Sequence, residues 1–268
     1  MKIITIITFW TISFNSILLG QTDFENANKE YKKGNFGEAI RLFSESIKNN
    51  NEVAKSFMLR GSAKGMNHDF SNAIIDLNSS YQIDSLNYNI YYYYGRTYMI
   101  NGFNYSAIKY YDKALKINKY VSDIYDDRAL AKIAIADYTG AIADEDSAIK
   151  LNSKVSYYYL GRGWAKYKLN KLTEAIKDFD SSIVIQSDPQ AYSDRGLAYF
   201  DSKEYLKAIA DFSEALRIAP LSKQCYYHRA LSYKALNKID EACLDFNKCI
   251  ELNYSVSKIE YEEICGKK

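Results

Sequence analysis

The ionisable residues with the most regular spacing are five arginines and five aspartates, and their chemistry is pairing rather than catalysis. Arg60, Arg128, Arg162, Arg195 and Arg229 each stand 16 residues before Asp76, Asp144, Asp178, Asp211 and Asp245. Sixteen residues is too far for side chains of one helix to meet, so each pair must join two elements. A guanidinium offers a planar fork that matches a carboxylate with two hydrogen bonds. Two further places in the same register lack both partners, holding Asn26 with Leu42 and Tyr94 with Tyr110. Arginine and aspartate are present or absent together. That is the behaviour of an internal strut fixing the distance between two elements. The other reading is a ladder of charged ligand sites.

The remaining reactive residues form no site. His68 falls in an expected turn and His228 in an expected helix, and neither has metal-ligand spacing or a nucleophile–base partner. Lys33-Gly34-Asn35-Phe36-Gly37 is too short and wrongly placed for a phosphate loop. Cys243 and Cys249 lie six apart in one expected helix, and no Cys-x-x-Cys occurs, which argues against zinc. The four cysteines, Cys225, Cys243, Cys249 and Cys265, allow three disulfide connectivities. Cys249 stands where other copies of the pattern carry Ala or Ser, so it reads as a small buried thiol. For Cys225, Cys243 and Cys265 both a bridge and a buried thiol remain open. The expectation is a chain that is not an enzyme, with no cofactor, no metal and no small-molecule substrate.

The elements that position these residues follow from an internal repeat. Ala39, Ala73, Ala107, Ala141, Ala175, Ala208 and Ala242 are spaced by 34 residues, with one step of 33 before Ala208. Sixteen residues before the alanine stands an aromatic: Phe57, Tyr91, Tyr125, Tyr159, Tyr192 and Tyr226. Twelve before it the residue is small, as in Gly61, Gly95, Gly163 and Gly196. Four after it is mostly aromatic or apolar, with Glu145 the exception, and seven after is small again. Spacings of 3, 4 and 7 within each half describe amphipathic helices. Breaks such as Lys33-Gly34-Asn35 and Asn101-Gly102 separate the halves. Each unit reads as helix A, tight turn, helix B, looser turn. The opening aromatics are expected in the core.

The pattern resembles the tetratricopeptide repeat family, whose 34-residue unit has aromatic and small residues at these offsets. The resemblance runs over residues 21–254 as seven repeats, and 255–268 reads as a capping helix and tail. It implies an all-α fold, an α-solenoid superhelix of antiparallel helix hairpins whose outer end needs a cover. It further implies a concave groove lined by helix A. The groove positions carry Tyr92, Arg96 and Met99 in the third repeat, and Leu160, Trp164 and Tyr167 in the fifth. They carry Leu197 and Phe200 in the sixth, and Tyr227 and Leu231 in the seventh. Aromatic and arginine side chains of this kind are enriched where proteins meet. Relatives that grip a C-terminal carboxylate use a Lys/Asn/Lys/Arg clamp. The matching places here hold Phe24, Asn28, Leu59, Asn89 and Tyr93, and only Asn28 fits.

Composition agrees with a packed, binding protein. The chain has 268 residues, of which 47% are hydrophobic, enough for a core. A net charge of +2 with interspersed signs gives no footprint for nucleic acid. Residues 1–20 combine Lys2, an apolar run from Ile3 to Leu19, and Gly20, and read as a secretory signal peptide. An uncleaved anchor is the alternative, and only through it would the chain touch a membrane. The expected function is a non-enzymatic protein- or peptide-binding scaffold, secreted, periplasmic or envelope-associated. The alternative is a structural subunit of an envelope complex or a self-assembling oligomer.

Overall fold

The computed structural model describes residues 23–254 and 261–266. The expected leader, 1–20, and residues 255–260 of the expected cap lie outside the described residues. The chain divides into two compact units, the first ending at Ile135 and the second beginning at Ala136. The described residues are helical without a strand.

In the first unit, α1 covers 23–32. It is followed by α2 (Phe36–Lys48), α3 (Val53–Met66), α4 (Phe70–Ile83), α5 (Tyr88–Ile100), α6 (Asn104–Ile117) and α7 (Ser122–Ala134). Successive helices from α2 to α7 pack on one another, and α3 also touches α5, as α5 touches α7. Odd-numbered helices are helix A of the sequence pattern and even-numbered ones helix B. A helix A therefore meets its own helix B, the helix B before it and the next helix A.

The second unit repeats this arrangement with α8 (Tyr138–Leu151), α9 (Ser156–Lys168), α10 (Leu172–Ile185), α11 (Pro189–Asp201), α12 (Tyr205–Ile218), α13 (Lys223–Ala235) and α14 (Ile239–Glu251). Here α9 touches α11 and α11 touches α13. Pro189 starts α11 where its missing N–H costs nothing, and the Asp188 side chain caps the helix by accepting from the Gln190 N–H.

Close packing explains the small residues. The seven anchoring alanines are fully buried. A Cβ added at Gly163 would stand 2.7 Å from Cε1 of Phe179, so only glycine lets α9 and α10 close over that ring. The turns between helix A and helix B reverse through a left-handed residue five before the alanine. Gly34 and Gly102 take it without a steric penalty, whereas His68, Asn170, Lys203 and Asn237 also adopt it, with φ near 60°.

A last helical turn, α15, covers 261–264. Its Tyr261 and Ile264 pack against the Ala230, Ala242 and Phe246 cluster at the end of the second unit. Cys243 of α14 is bridged to Cys265, with Cα atoms 5.8 Å apart and a sequence separation of 22. Cross-links closing loops of this size stabilise by about 3 kcal/mol. Cys225 and Cys249 are buried free thiols.

Candidate partner-binding surface

The arginine–aspartate geometry sets the shape on which any surface is displayed. Arg60 Nε and Nη2 donate to Asp76 Oδ2 and Oδ1 at 2.8 and 2.7 Å. The same two-pronged contact joins Arg162 to Asp178 (2.9 and 2.6 Å), Arg195 to Asp211 (2.8 and 2.6 Å) and Arg229 to Asp245 (2.7 and 2.8 Å). The aspartate side chains are nearly buried. The Arg195 guanidinium is held above its usual range by the Asp211 hydrogen bond, against the opposing effect of burial. Asp144, the partner expected for Arg128, is buried on α8 in the second unit.

Each arginine has a second partner, 16 residues before it in the chain, or 15 for Arg195. Nη1 reaches back to the preceding helix B: Arg60 to Ser44 Oγ, Arg128 to Asp112, Arg162 to Asp146, Arg195 to Asp180 and Arg229 to Ser213, at 2.5–2.9 Å. These acceptors all lie five residues after an anchoring alanine, a polar position that is readable in the repeat. In Arg60, Arg162, Arg195 and Arg229 one guanidinium thus ties three helices together.

The opening aromatics correct an expectation. Phe57, Tyr91, Tyr125, Tyr159, Tyr192 and Tyr226 are half-buried, and the fully enclosed place is one residue earlier, held by Ile90, Ile124, Tyr158, Ala191 and Cys225. For all of these but Tyr91, which has Lys113 over its ring instead, the reason is the arginine three residues on. Its guanidinium covers one face of the ring, at 5.3 Å in Arg60–Phe57 and 5.5 Å in Arg162–Tyr159, and a charged lid keeps the ring near the surface.

The groove residues of the first unit turn inward. Arg96 lies 5.8 Å above the Tyr92 ring, and its Nε is 3.7 Å from Asp127 Oδ2 of α7. Its Nη2 contacts Met66 Sδ, and Met99 Sδ receives the Tyr111 hydroxyl at 3.8 Å. Burial raises the Asp127 carboxyl above its usual range, while Arg96 and the Tyr92 hydroxyl act to lower it. Tyr92, Arg96 and Met99 are therefore interlocked with their neighbours rather than presented as an open patch.

In the second unit the register position of Arg96 holds Trp164, Leu197 and Leu231. Trp164 and Tyr167 of α9 stack at 5.3 Å, and Lys168 Nζ stands 4.5 Å over the indole. The Tyr167 hydroxyl donates to Asp201 of α11 at 2.6 Å. Leu160 and Tyr167 edge one apolar cluster, Leu197 and Phe200 another, and Tyr227 and Leu231 a third. All six are half-buried.

Between α9, α11 and α13 lies a cavity of about 330 Å³, walled by Trp164, Leu197, Cys225 and His228 with Gln190 and Asp194 inside. Asp194 is only 5% exposed and accepts from Gln190 Nε2 at 2.8 Å. Burial pushes its carboxyl up to about 7, helped by Asp188 and opposed by Gln190 and Lys168. Burial also lowers the His228 imidazole, whose Nδ1 is enclosed without a hydrogen-bond partner. Asp194 carries little signal in the sequence, because Asp127 is the only other aspartate at its place in the repeat. The residues at the carboxylate-clamp places are mostly structural: Leu59 is buried and Phe24 packs 5.9 Å from Phe43.

Residues 189–222 and 223–255 match family models of the tetratricopeptide repeat. Sperm-associated antigen 1 of Homo sapiens is 33% identical over 75 residues, 27% of this chain and 8% of its own length. The Arabidopsis thaliana Hsp70-Hsp90 organizing protein 3 is 34% identical over 65 residues, 24% of this chain and 12% of its own. The chain thus spans about a tenth of the curated relatives it matches. Among solved structures, a tetratricopeptide repeat protein of Parabacteroides merdae superimposes with a TM-score of 0.65 at 20% identity, covering 91% of this chain and 97% of that one. PilF of Pseudomonas aeruginosa gives 0.69 at 16% identity, covering 81% and 98%. YrrB, described as a TPR protein with an unusual peptide-binding site, gives 0.56 at 15% identity, covering 66% and 91%. Residues 189–255 thus match the tetratricopeptide repeat, and the solved structures share the all-α fold of antiparallel helix hairpins.

Proposed function

We propose that this chain is a non-enzymatic scaffold of seven tetratricopeptide repeats that binds an extended segment of a protein partner on the helix A face of its second unit. The observation that carries the reading is the Trp164–Tyr167 stack beside Leu197 and Phe200, with a cavity at its foot. Trp and Tyr are among the residue types enriched in binding hot spots, which centre on well-packed pockets. Tetratricopeptide proteins are generally interaction scaffolds, and the peptide-binding description of YrrB supports the same use of the fold.

In this reading the chain works outside the cytoplasm, as a secreted, periplasmic or envelope-associated protein. The apolar stretch Ile3–Leu19 behind Lys2 and the Cys243–Cys265 bridge support this, since such bridges persist where conditions oxidise. No helix among the described residues is long and apolar enough to cross a membrane.

The test is affinity capture from host extract with the tagged full chain beside a variant carrying Trp164→Ala and Phe200→Ala. Circular dichroism first establishes that the variant keeps its helices. A partner held by the native chain and lost by the folded variant supports the reading. Capture of the same partner by both removes the α9–α11 face from consideration.

A further inference from the structure

The two units use one register position in opposite ways. Asp127 on α7 and Asp194 on α11 each stand 14 residues before an anchoring alanine, Ala141 and Ala208. Both carboxylates are enclosed on the side of the preceding helix A. In the first unit that helix supplies a cation: Arg96, 11 residues before Ala107, reaches Asp127. In the second unit the residue 11 before Ala175 is Trp164, which is neutral. Asp194 thus has the acid of the pair without its base, and the cavity of about 330 Å³ opens beside it.

The surroundings of Asp194 do not supply the missing charge. Gln190, one turn back on its own helix, donates a neutral amide. Asp188 beyond it is a second acid. From α9, Lys168 is committed to the Trp164 face and acts on Asp194 only through space. From α13, His228 is kept neutral by burial. From α12 and its C-terminal cap, the lining residues Ala215 and Ala219 are apolar. A cavity of this size is at the small end of ligand sites, which run from about 300 to 1,000 Å³. It suits one side chain rather than a large cofactor.

We propose that this cavity is a cation pocket, which takes the lysine or arginine side chain of a bound partner segment with Asp194 as its counter-ion and Trp164 as its apolar wall. The inference rests on the reading that the helix A face of the second unit binds a peptide. The guest replaces, from outside, what Arg96 does within the first unit. The aliphatic stem lies against Trp164 and Leu197, and the charged head meets the carboxylate. Because Asp194 titrates near neutrality, the pocket fills best above pH 7 and empties as the carboxyl takes up a proton.

The test titrates the full chain with acetyl-Ala-Lys-Ala-amide and with its norleucine counterpart, followed by indole fluorescence with Trp164→Phe as the assignment control. At pH 8 the lysine peptide is expected to bind at least about tenfold more tightly, since a tenfold change is one unit of pK coupling. The preference is expected to fall several-fold at pH 5.5 and to vanish in Asp194→Asn. Trp164→Arg, which restores the internal cation, is expected to block the lysine peptide while leaving the helices intact. Equal binding of the two peptides, or a lysine preference that survives Asp194→Asn, overturns the pocket. Butylamine binding as tightly as the lysine peptide overturns the assignment to a partner's side chain. A lysine preference with no effect of Trp164→Ala and Phe200→Ala on partner capture leaves the pocket and removes the groove reading. The converse result leaves the groove and removes the pocket.

Discussion

The Tyr94 ring lies on the Tyr110 ring, with centroids 4.8 Å apart and planes 17° from parallel. These are the places that an arginine and an aspartate occupy in five of the other hairpins. The Tyr94 hydroxyl donates to Asn78, at the polar position where preceding helices supply Asp or Ser to the arginine. Tyr98 also stacks on Tyr110, at 5.2 Å. The ion-paired strut has been exchanged for an aromatic one with all three attachment points kept. Aromatic pairs add roughly 0.5–1.5 kcal/mol beyond their burial, so the exchange avoids the desolvation cost of charge. Tyr94→Arg and Tyr110→Asp are each expected to destabilise. Together they should recover part of the loss, with a coupling of about 1–3 kcal/mol in urea unfolding. Additive losses would show that the two positions are not one strut.

The struts differ in what remains when the arginine is removed. Asp178 keeps Lys166 Nζ at 2.8 Å, whereas Asp211 is paired with Arg195 and has only Tyr199 where Lys166 would stand. Breaking a buried pair by deleting one partner costs about 3–5 kcal/mol. Arg195→Ala is expected to show that loss in full, and Arg162→Ala to cost about 1–2 kcal/mol less. Equal losses in denaturant melts would mean that Lys166 carries no share of the Asp178 charge.

Two helix glycines should respond to alanine with opposite signs. At Gly163 the new methyl meets the Phe179 ring at 2.7 Å. Overpacking of this kind costs about 1–3 kcal/mol. At Gly37, in the first turn of α2, a Cβ meets nothing within 4 Å, and the higher helix propensity of alanine contributes up to about 1 kcal/mol. Thermal melts of Gly163→Ala and Gly37→Ala are expected to move down and up from the native chain. A neutral Gly163→Ala would mean that α9 and α10 can part without loss.

Asp194 gives stability a definite pH dependence. Its carboxyl titrates near 7 when folded, above the usual carboxylate value near 3.9 in an unfolded chain. Between about pH 4 and pH 7 the folded state holds a proton that the unfolded state has released. The contribution of Asp194 therefore falls as pH rises through that window and levels off above it. Asp194→Asn removes the titration. It is expected to be more stable than the native chain at pH 8, by on the order of 1–3 kcal/mol, with the gap closing by pH 5. A gap independent of pH would assign the effect to packing instead.

Much of the architecture is legible in the repeat. A 34-residue period with small residues at Gly163 and Ala175 and a large one at Phe179 can be satisfied only by two helices in close contact, because the small places must face the large one. The co-occurrence of Arg60 with Asp76, and of Arg162 with Asp178, carries the pairing partners for the same reason: a buried charge needs its counter-charge. What is local or periodic can be read from one strand of text, since each repeat restates it.

What the tertiary structure alone decided was orientation across helices that are distant in sequence. Tyr92, Arg96 and Met99 share the register of Leu160, Trp164 and Tyr167, yet the first three are drawn inward by Asp127 and Met66 and the second three lie on the helix that walls a cavity. The identity of Cys265 as the partner of Cys243, and the second anchor of each arginine on the preceding helix B, were likewise settled by packing. Sequence by itself determined the repeating unit, since burial of a periodic face depends only on composition and spacing. Which carboxylate meets a cation and which meets a void depended on the neighbour that three-dimensional stacking brings alongside, and no single repeat contains that neighbour.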